Sequence, residues 1–168
     1  RLEKVRDIFL FCCFTGFDYS TTAALTEKNI VTDDEGALWI ETHRIKTGTP
    51  SKVKLLDIPL SILKKYELRR DGNFLLPVMS NAKYNLYLKE IASICGIEKR
   101  VTSHLARHTF ATTVTYANGV SIESISKMLG HTKLSTTQIY ARIVDKTVSN
   151  EMDKLAEKLL DTKFCANL

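Results

Sequence analysis

Several absences narrow the sequence before any motif is read. No apolar run approaches the length that crosses a bilayer, and the charged residues Arg1 to Arg6 lead only into Ile8-Phe9-Leu10-Phe11. That stretch is too short and too mixed for the apolar region of a signal peptide, so the expected setting is the cytoplasm, with no membrane partner. The four cysteines, Cys12, Cys13, Cys95 and Cys165, show no C-x-x-C spacing. Mostly set among apolar neighbours, they read as reduced core thiols, with no structural metal and no cofactor indicated. Internal repeats and low-complexity stretches are missing too. So is an initiator methionine, and helical patterning starts at once at Arg1, which fits a fragment of a longer protein whose upstream domains are absent.

What is present is the composition of one globular domain. The chain has 168 residues, 44% of them apolar and 26% charged, enough to bury a proper core. A net charge of +5 favours a polyanionic partner without establishing one. Leu2, Val5, Phe9 and Cys12 recur at helical spacing, and Ser20 can cap a short helix through Leu25. From Ile30 to Ile58 the texture becomes that of strands: Ile30 to Thr32, Leu38 to Lys46, then Val53 to Ile58, with turns at Asp34-Glu35-Gly36 and Gly48-Thr49-Pro50-Ser51. Helices follow from Pro59 to about Arg70 and from Ser80 or Asn81 to Gly96, the latter with Tyr84, Leu88, Ile91 and Cys95 on one face. Further helices start at Ser103, Ser121 and Ser135. The expected fold is α+β, mainly α, with one small three-stranded antiparallel sheet, in a single domain 1–168 that ends in a tail helix within 145–168.

Two clusters carry chemistry. On the helix from Ser103, the residues His104, Arg107, His108 and Ala111 share a stripe, with Phe110, Val114 and Ala117 on the opposing core face. His131 lies on the turn after Gly130, and Tyr140 lies a little over one turn into the next helix. Each cluster alone has a plain structural reading: a solvated helix face, a capping histidine, a core tyrosine.

Taken together they resemble a family. His104-Leu105-Ala106-Arg107-His108-Thr109-Phe110-Ala111-Thr112, then Leu129-Gly130-His131, then Tyr140, are similar in order and spacing to the catalytic boxes of the tyrosine recombinases, the phage-integrase family of bacterial mobile elements. Phe14-Thr15-Gly16 resembles the first box, and Ile45-Lys46-Thr47 the hairpin lysine. The resemblance implies a helical catalytic domain that cuts and rejoins double-stranded DNA through a covalent 3′-phosphotyrosine at Tyr140, without metal or ATP. It further implies that Arg107 and His131 hold the phosphate, that His104 is the base, and that Lys46 protonates the leaving oxygen, with Lys52 and Lys54 as the nearest competitors for that role. Partners implied are DNA, a homotetramer assembled on it with the tail docked on a neighbour, and accessory DNA-bending proteins.

The first box departs from the family pattern. Thr15-Gly16-Phe17-Asp18 carries an aspartate where the family has its first catalytic arginine, and Thr21 stands at the place of an acidic residue. Arg6, on a largely apolar stripe with Leu2, Phe9, Leu10 and Cys13, is the candidate replacement; pairing with Glu3 or Asp18 is the equal alternative, and Arg44 and Arg142 are weaker candidates. If no arginine replaces it, the chain is a catalytically impaired DNA-binding module. A type IB topoisomerase shares the chemistry and is the other enzyme reading.

Overall fold

The computed structural model describes residues 1–69, 72–141 and 152–157. Its spine is helix α1, Leu2–Thr15. Val5, Ile8 and Cys12 on one side of it join Tyr84, Leu88 and Ala106 in one apolar cluster, while Phe11 joins Phe17, Leu25, Ile40, Leu75 and Phe110 in another. A helix buried on both sides is held mainly by the transfer of such side chains from water, each contributing about 1.5–3 kcal/mol. Around it pack α3 (Asp57–Tyr66), α4 (Asn81–Ile94) and α5 (Ser103–Thr109). The one charge buried in α1, Asp7, accepts hydrogen bonds from Lys65 Nζ (2.6 Å) and Tyr66 Oη (2.9 Å) of α3 and from Arg6.

The short helix α2, Tyr19–Ala24, is capped by Asp18, which accepts from the Thr21 amide at 2.9 Å. Ser20, expected as the cap, instead lies inside the helix; a carboxylate three residues before a free amide is as good an N-cap as a hydroxyl. The antiparallel sheet follows in the order β1 (Ile30–Thr32), β2 (Leu38–His43), β3 (Pro50–Lys54), with the buried pair Ile40 and Val53 in register on its inner face. Strand β2 stops at His43, short of the expected Lys46, and β3 runs from Pro50 to Lys54 instead of Val53 to Ile58, taking up Pro50 and Ser51 of the expected turn. At Arg44 the chain turns, its carbonyl accepting from the amides of Thr47 (3.1 Å) and Gly48 (2.7 Å), so the hairpin tip runs from Arg44 to Thr49. Gly48 closes it at φ 66°, a conformation that costs a residue without Cβ nothing.

Helix α4 buries Tyr84, Leu88 and Ala92; Cys95, at its C-terminal end, is exposed, contrary to the expected stripe. Cys12 and Cys13 are buried as expected, and Cys165 lies outside the described residues. Helix α5 runs directly into a π-helical turn, Phe110–Thr115, whose Thr115 hydroxyl donates to the carbonyls of Phe110 (2.7 Å) and Ala111 (3.1 Å). The wider turn shifts the register, and so Ala117 is exposed rather than part of the core face. Helices α6 (Ile122–Met128, capped by Ser121) and α7 (Ser135–Ala141) complete the fold before the helical residues 152–157. No described helix is long and apolar enough to cross a membrane.

Candidate active site

The site is assembled around Arg107. Helix α1 ends at Gly16 in the left-handed conformation (φ 73°), and a Cβ there would lie 2.5 Å from the Phe110 ring. Only glycine therefore lets the chain pass close enough for the Gly16 carbonyl to accept from Arg107 Nη1 at 2.7 Å. On the other side the Leu129 carbonyl, at the end of α6, accepts from Nη2 at 2.5 Å. Two helix C-termini, each carrying partial negative charge, thus fix a guanidinium that is 2% exposed. Burial, followed by the nearby charge of Arg44, pushes its pKa down to about 10, so it stays charged at neutral pH. Two of its five N–H donors go to these carbonyls, and among the described residues no acceptor takes the others.

Gly130, at φ 59°, turns the chain after α6 and leaves His131 half-buried. His131 Nδ1 lies 2.8 Å from the hydroxyl of Thr137, a fully buried residue one turn before Tyr140 on α7. Burial and then the charges of Arg107 and Arg44 push the His131 pKa down to about 4, so the ring is neutral at physiological pH. A neutral imidazole has one N–H. When Nδ1 accepts the Thr137 proton, Nε2 carries the ring's N–H and can donate. Tyr140 is 3% exposed; burial raises its pKa, while Arg107 and Arg44 oppose the rise. Its ring meets that of His108 edge-on with centroids 5.3 Å apart, and His108 in turn meets His104 at 4.5 Å. The stripe foreseen on α5 is real, yet the imidazole in ring contact with the tyrosine is His108, to which sequence reasoning gave no role. His104 lies at the exposed rim, where partial loss of solvent around its ring, then the neighbouring His108, Arg107 and Arg44, lower its pKa and favour the proton-accepting form.

The structure does not bring Arg6 to this group. Its guanidinium, 55% exposed, is turned to Asp7 (2.7 Å) and Glu3 (4.0 Å), because the buried carboxylate beside it offers the nearest counter-charge. Arg44 is the arginine that arrives. From the hairpin tip its charge acts on Arg107, His104, His131 and Tyr140 alike, and its Nε lies 3.2 Å from Asp18 Oδ2. Lys46, two residues on and exposed, lines the same open cleft as Arg44 and His104. Arg142 lies outside the described residues.

Residues 3–147 match the Phage integrase family. The chain belongs to that family. Across 173 aligned residues it is 32% identical to the tyrosine recombinase XerA of Thermococcus onnurineus, with 94% of this chain and 59% of that protein covered. Among solved structures it is similar to the XerH site-specific recombinase bound to palindromic difH substrate in a post-cleavage complex. There the TM-score is 0.70 at 23% identity, covering 91% of this chain and 46% of that one. The crystal structure of XerA recombinase gives a TM-score of 0.67 at 22% identity, covering 90% of this chain and 62% of that one. At such identities the structural likeness shows the fold, a mainly helical domain with a small antiparallel sheet. The family domain here spans about half the length of these relatives. Its electrostatics favour a bound anion. A buried arginine, a second arginine on the hairpin tip, a neutral histidine and a buried phenol act on one another there, and the positive charge suits an anion.

Proposed function

We propose that this domain cuts and rejoins double-stranded DNA as a site-specific recombinase of mobile-element type, acting in the cytoplasm on its DNA. Tyr140 Oη attacks a backbone phosphorus, forming the Tyr140 O–P bond and breaking P–O5′, to leave a 3′-phosphotyrosine and a free 5′ hydroxyl. Negative charge developing on the non-bridging oxygens is met by Arg107, Arg44 and His131 Nε2. His104 takes the phenolic proton, and Lys46 delivers a proton to the departing 5′ oxygen. The phosphotyrosine keeps the energy of the broken bond, so a 5′ hydroxyl from another strand can reverse the attack without ATP or a divalent ion. Partner strands are exchanged within a homotetramer on DNA, with DNA-bending proteins as accessory partners.

What supports this reading is the ring contact of Tyr140 with His108 and of His108 with His104, beside Arg107 held at the end of α6 and His131 on the turn after it, with Arg44 taken as the cation missing from the first box. A binding-only module would have no use for a buried nucleophile beside two arginines. The test is covalent capture. The chain is incubated with a randomised pool of nicked duplexes in EDTA, so that the short 5′ fragment diffuses away and the adduct persists. Wild type should accumulate protein–DNA adduct and Tyr140→Phe none. Adduct retained by Tyr140→Phe, or adduct that needs a divalent ion, contradicts the mechanism.

A further inference from the structure

The two residues at which the first box departs from its family both bond the hairpin that carries Arg44. Asp18 divides its carboxylate between two partners: Oδ1 accepts from the Thr21 amide at 2.9 Å, starting α2, and Oδ2 accepts from Arg44 Nε at 3.2 Å. Thr21, 2% exposed, receives on its hydroxyl the amide of Ile45, the residue after Arg44, at 3.4 Å. On the far side of the hairpin the Ser51 hydroxyl donates to the Met128 carbonyl, and Gly130 packs so closely that a Cβ on it would lie 3.4 Å from Arg44 Cβ. Arg44 is therefore fixed at its backbone by the turn and at its guanidinium by Asp18, and its side chain is only 16% exposed.

We infer that Asp18 and Thr21 are positioning residues, which seat the β2–β3 hairpin against α2 and aim the Arg44 guanidinium at the phosphate. The inference rests on the proposed role of Arg44. An acid beside a phosphate site would by charge alone weaken anion binding, so its presence there requires a compensating use. Engagement of Nε leaves the Nη1/Nη2 edge of Arg44, the edge that matches two phosphate oxygens, facing away from Asp18. Without that anchor a side chain with four rotatable torsions on an exposed tip would have to be ordered at each encounter, at a cost in rotamer entropy. The same pair of bonds also fixes the start of the segment Ile45-Lys46, so the seat serves both Arg44 and Lys46 of the hairpin tip.

The test uses the whole chain, isotopically labelled, with inorganic phosphate as the probe. In wild type the Arg44 Nε–H gives a slowly exchanging NMR signal that moves on phosphate titration. Asp18→Asn keeps an acceptor for the α2 cap and removes the charge; melting temperature confirms that it folds. Its Arg44 signal should collapse into fast exchange and its phosphate affinity fall by about fivefold or more, although a negative charge has been removed. Thr21→Val, which leaves the Asp18 contact intact, should weaken phosphate by about twofold. In an Arg44→Ala background Asp18→Asn should change binding by less than about twofold, since a positioning residue has nothing left to position. Phosphate bound by Asp18→Asn as tightly as by wild type, or more tightly, overturns the inference. So does an equal loss in the absence of Arg44, or a wild-type chain that leaves phosphate unbound. Adduct formation at Tyr140 is a separate readout, and its presence alongside a failed phosphate test leaves the recombinase reading standing.

Discussion

At the scale of single residues, the spacing of His104, Arg107 and His108 puts them on one face, and His131 and Tyr140 fall on a turn and the helix after it, because each relation spans only a few residues. The replacement for the missing arginine is not legible in the same way. Arg6 stands out in the sequence because it sits on an apolar stripe, but the adjacent Asp7 is the buried group and Arg6 simply answers it. Arg44 is 63 positions before Arg107 in the chain, and its place depends on how the hairpin packs on Gly130 and is bonded to Asp18, Thr21 and Met128. Arg44→Ala should lower single-turnover cleavage about a hundredfold or more, the usual loss for a preorganised oxyanion donor, and Arg6→Ala should stay within a few-fold of wild type. The reverse pattern in a cleavage time course would return the role to Arg6. His131 adds a pH signature. Its folded pKa of about 4 lies below the usual value near 6.5, so the unfolded chain takes up a proton first as pH falls. The stability contributed by the neutral ring is complete above about pH 6.5 and is lost as the pH drops toward 4. His131→Asn should flatten that part of the melting-temperature profile; an unchanged slope would mean that His131 is not the group responsible.

At the scale of elements, the sheet and the helices before residue 110 follow from period and turn chemistry, while the π-helical turn at Phe110–Thr115 does not, since nothing in a run of β-branched and small residues distinguishes an i→i+5 bond from an i→i+4 one. The cap of α2 and the span of the hairpin tip differ from expectation by a few residues: Asp18 takes the Thr21 amide locally and Arg44 of the tip as well, and the tip is closed by the Arg44 carbonyl accepting from Thr47 and Gly48. Where an element is fixed by its neighbours, a substitution at the joint should be costly. Gly16→Ala combines a left-handed backbone with a Cβ 2.5 Å from Phe110, and should destabilise the domain by about 2–4 kcal/mol in urea unfolding. Asp7→Ala removes the acceptor that ties α1 to Lys65 and Tyr66. Because Arg6 and Lys65 are 55% and 33% exposed and can return to water, the expected loss is about 2 kcal/mol, below the range for a wholly buried pair. A loss under about 0.5 kcal/mol would show that the network is only a surface ion cluster.

At the scale of the whole molecule, the tail expected to form a helix within 145–168 is described only at 152–157, where the chain is helical and Met152 and Leu155 are 58% and 45% exposed. Docking of this segment on a neighbouring protomer belongs to the proposed assembly on DNA. Deleting the chain after Val148 should therefore spare thermal unfolding and binding of one protomer while weakening assembly on DNA, measured by sedimentation with and without duplex. Loss of the folded state on deletion would place the helix in its own core instead. Whether Tyr140 is the nucleophile of a strand-transfer reaction can be read by mass spectrometry of the protein recovered after incubation with nicked duplex and digestion of both polymers. A nucleotide should be found joined through its 3′ phosphate to the peptide containing Tyr140; a nucleotide on any other residue, or an unmodified Tyr140 in protein that has cleaved its DNA, would assign the attack to another group.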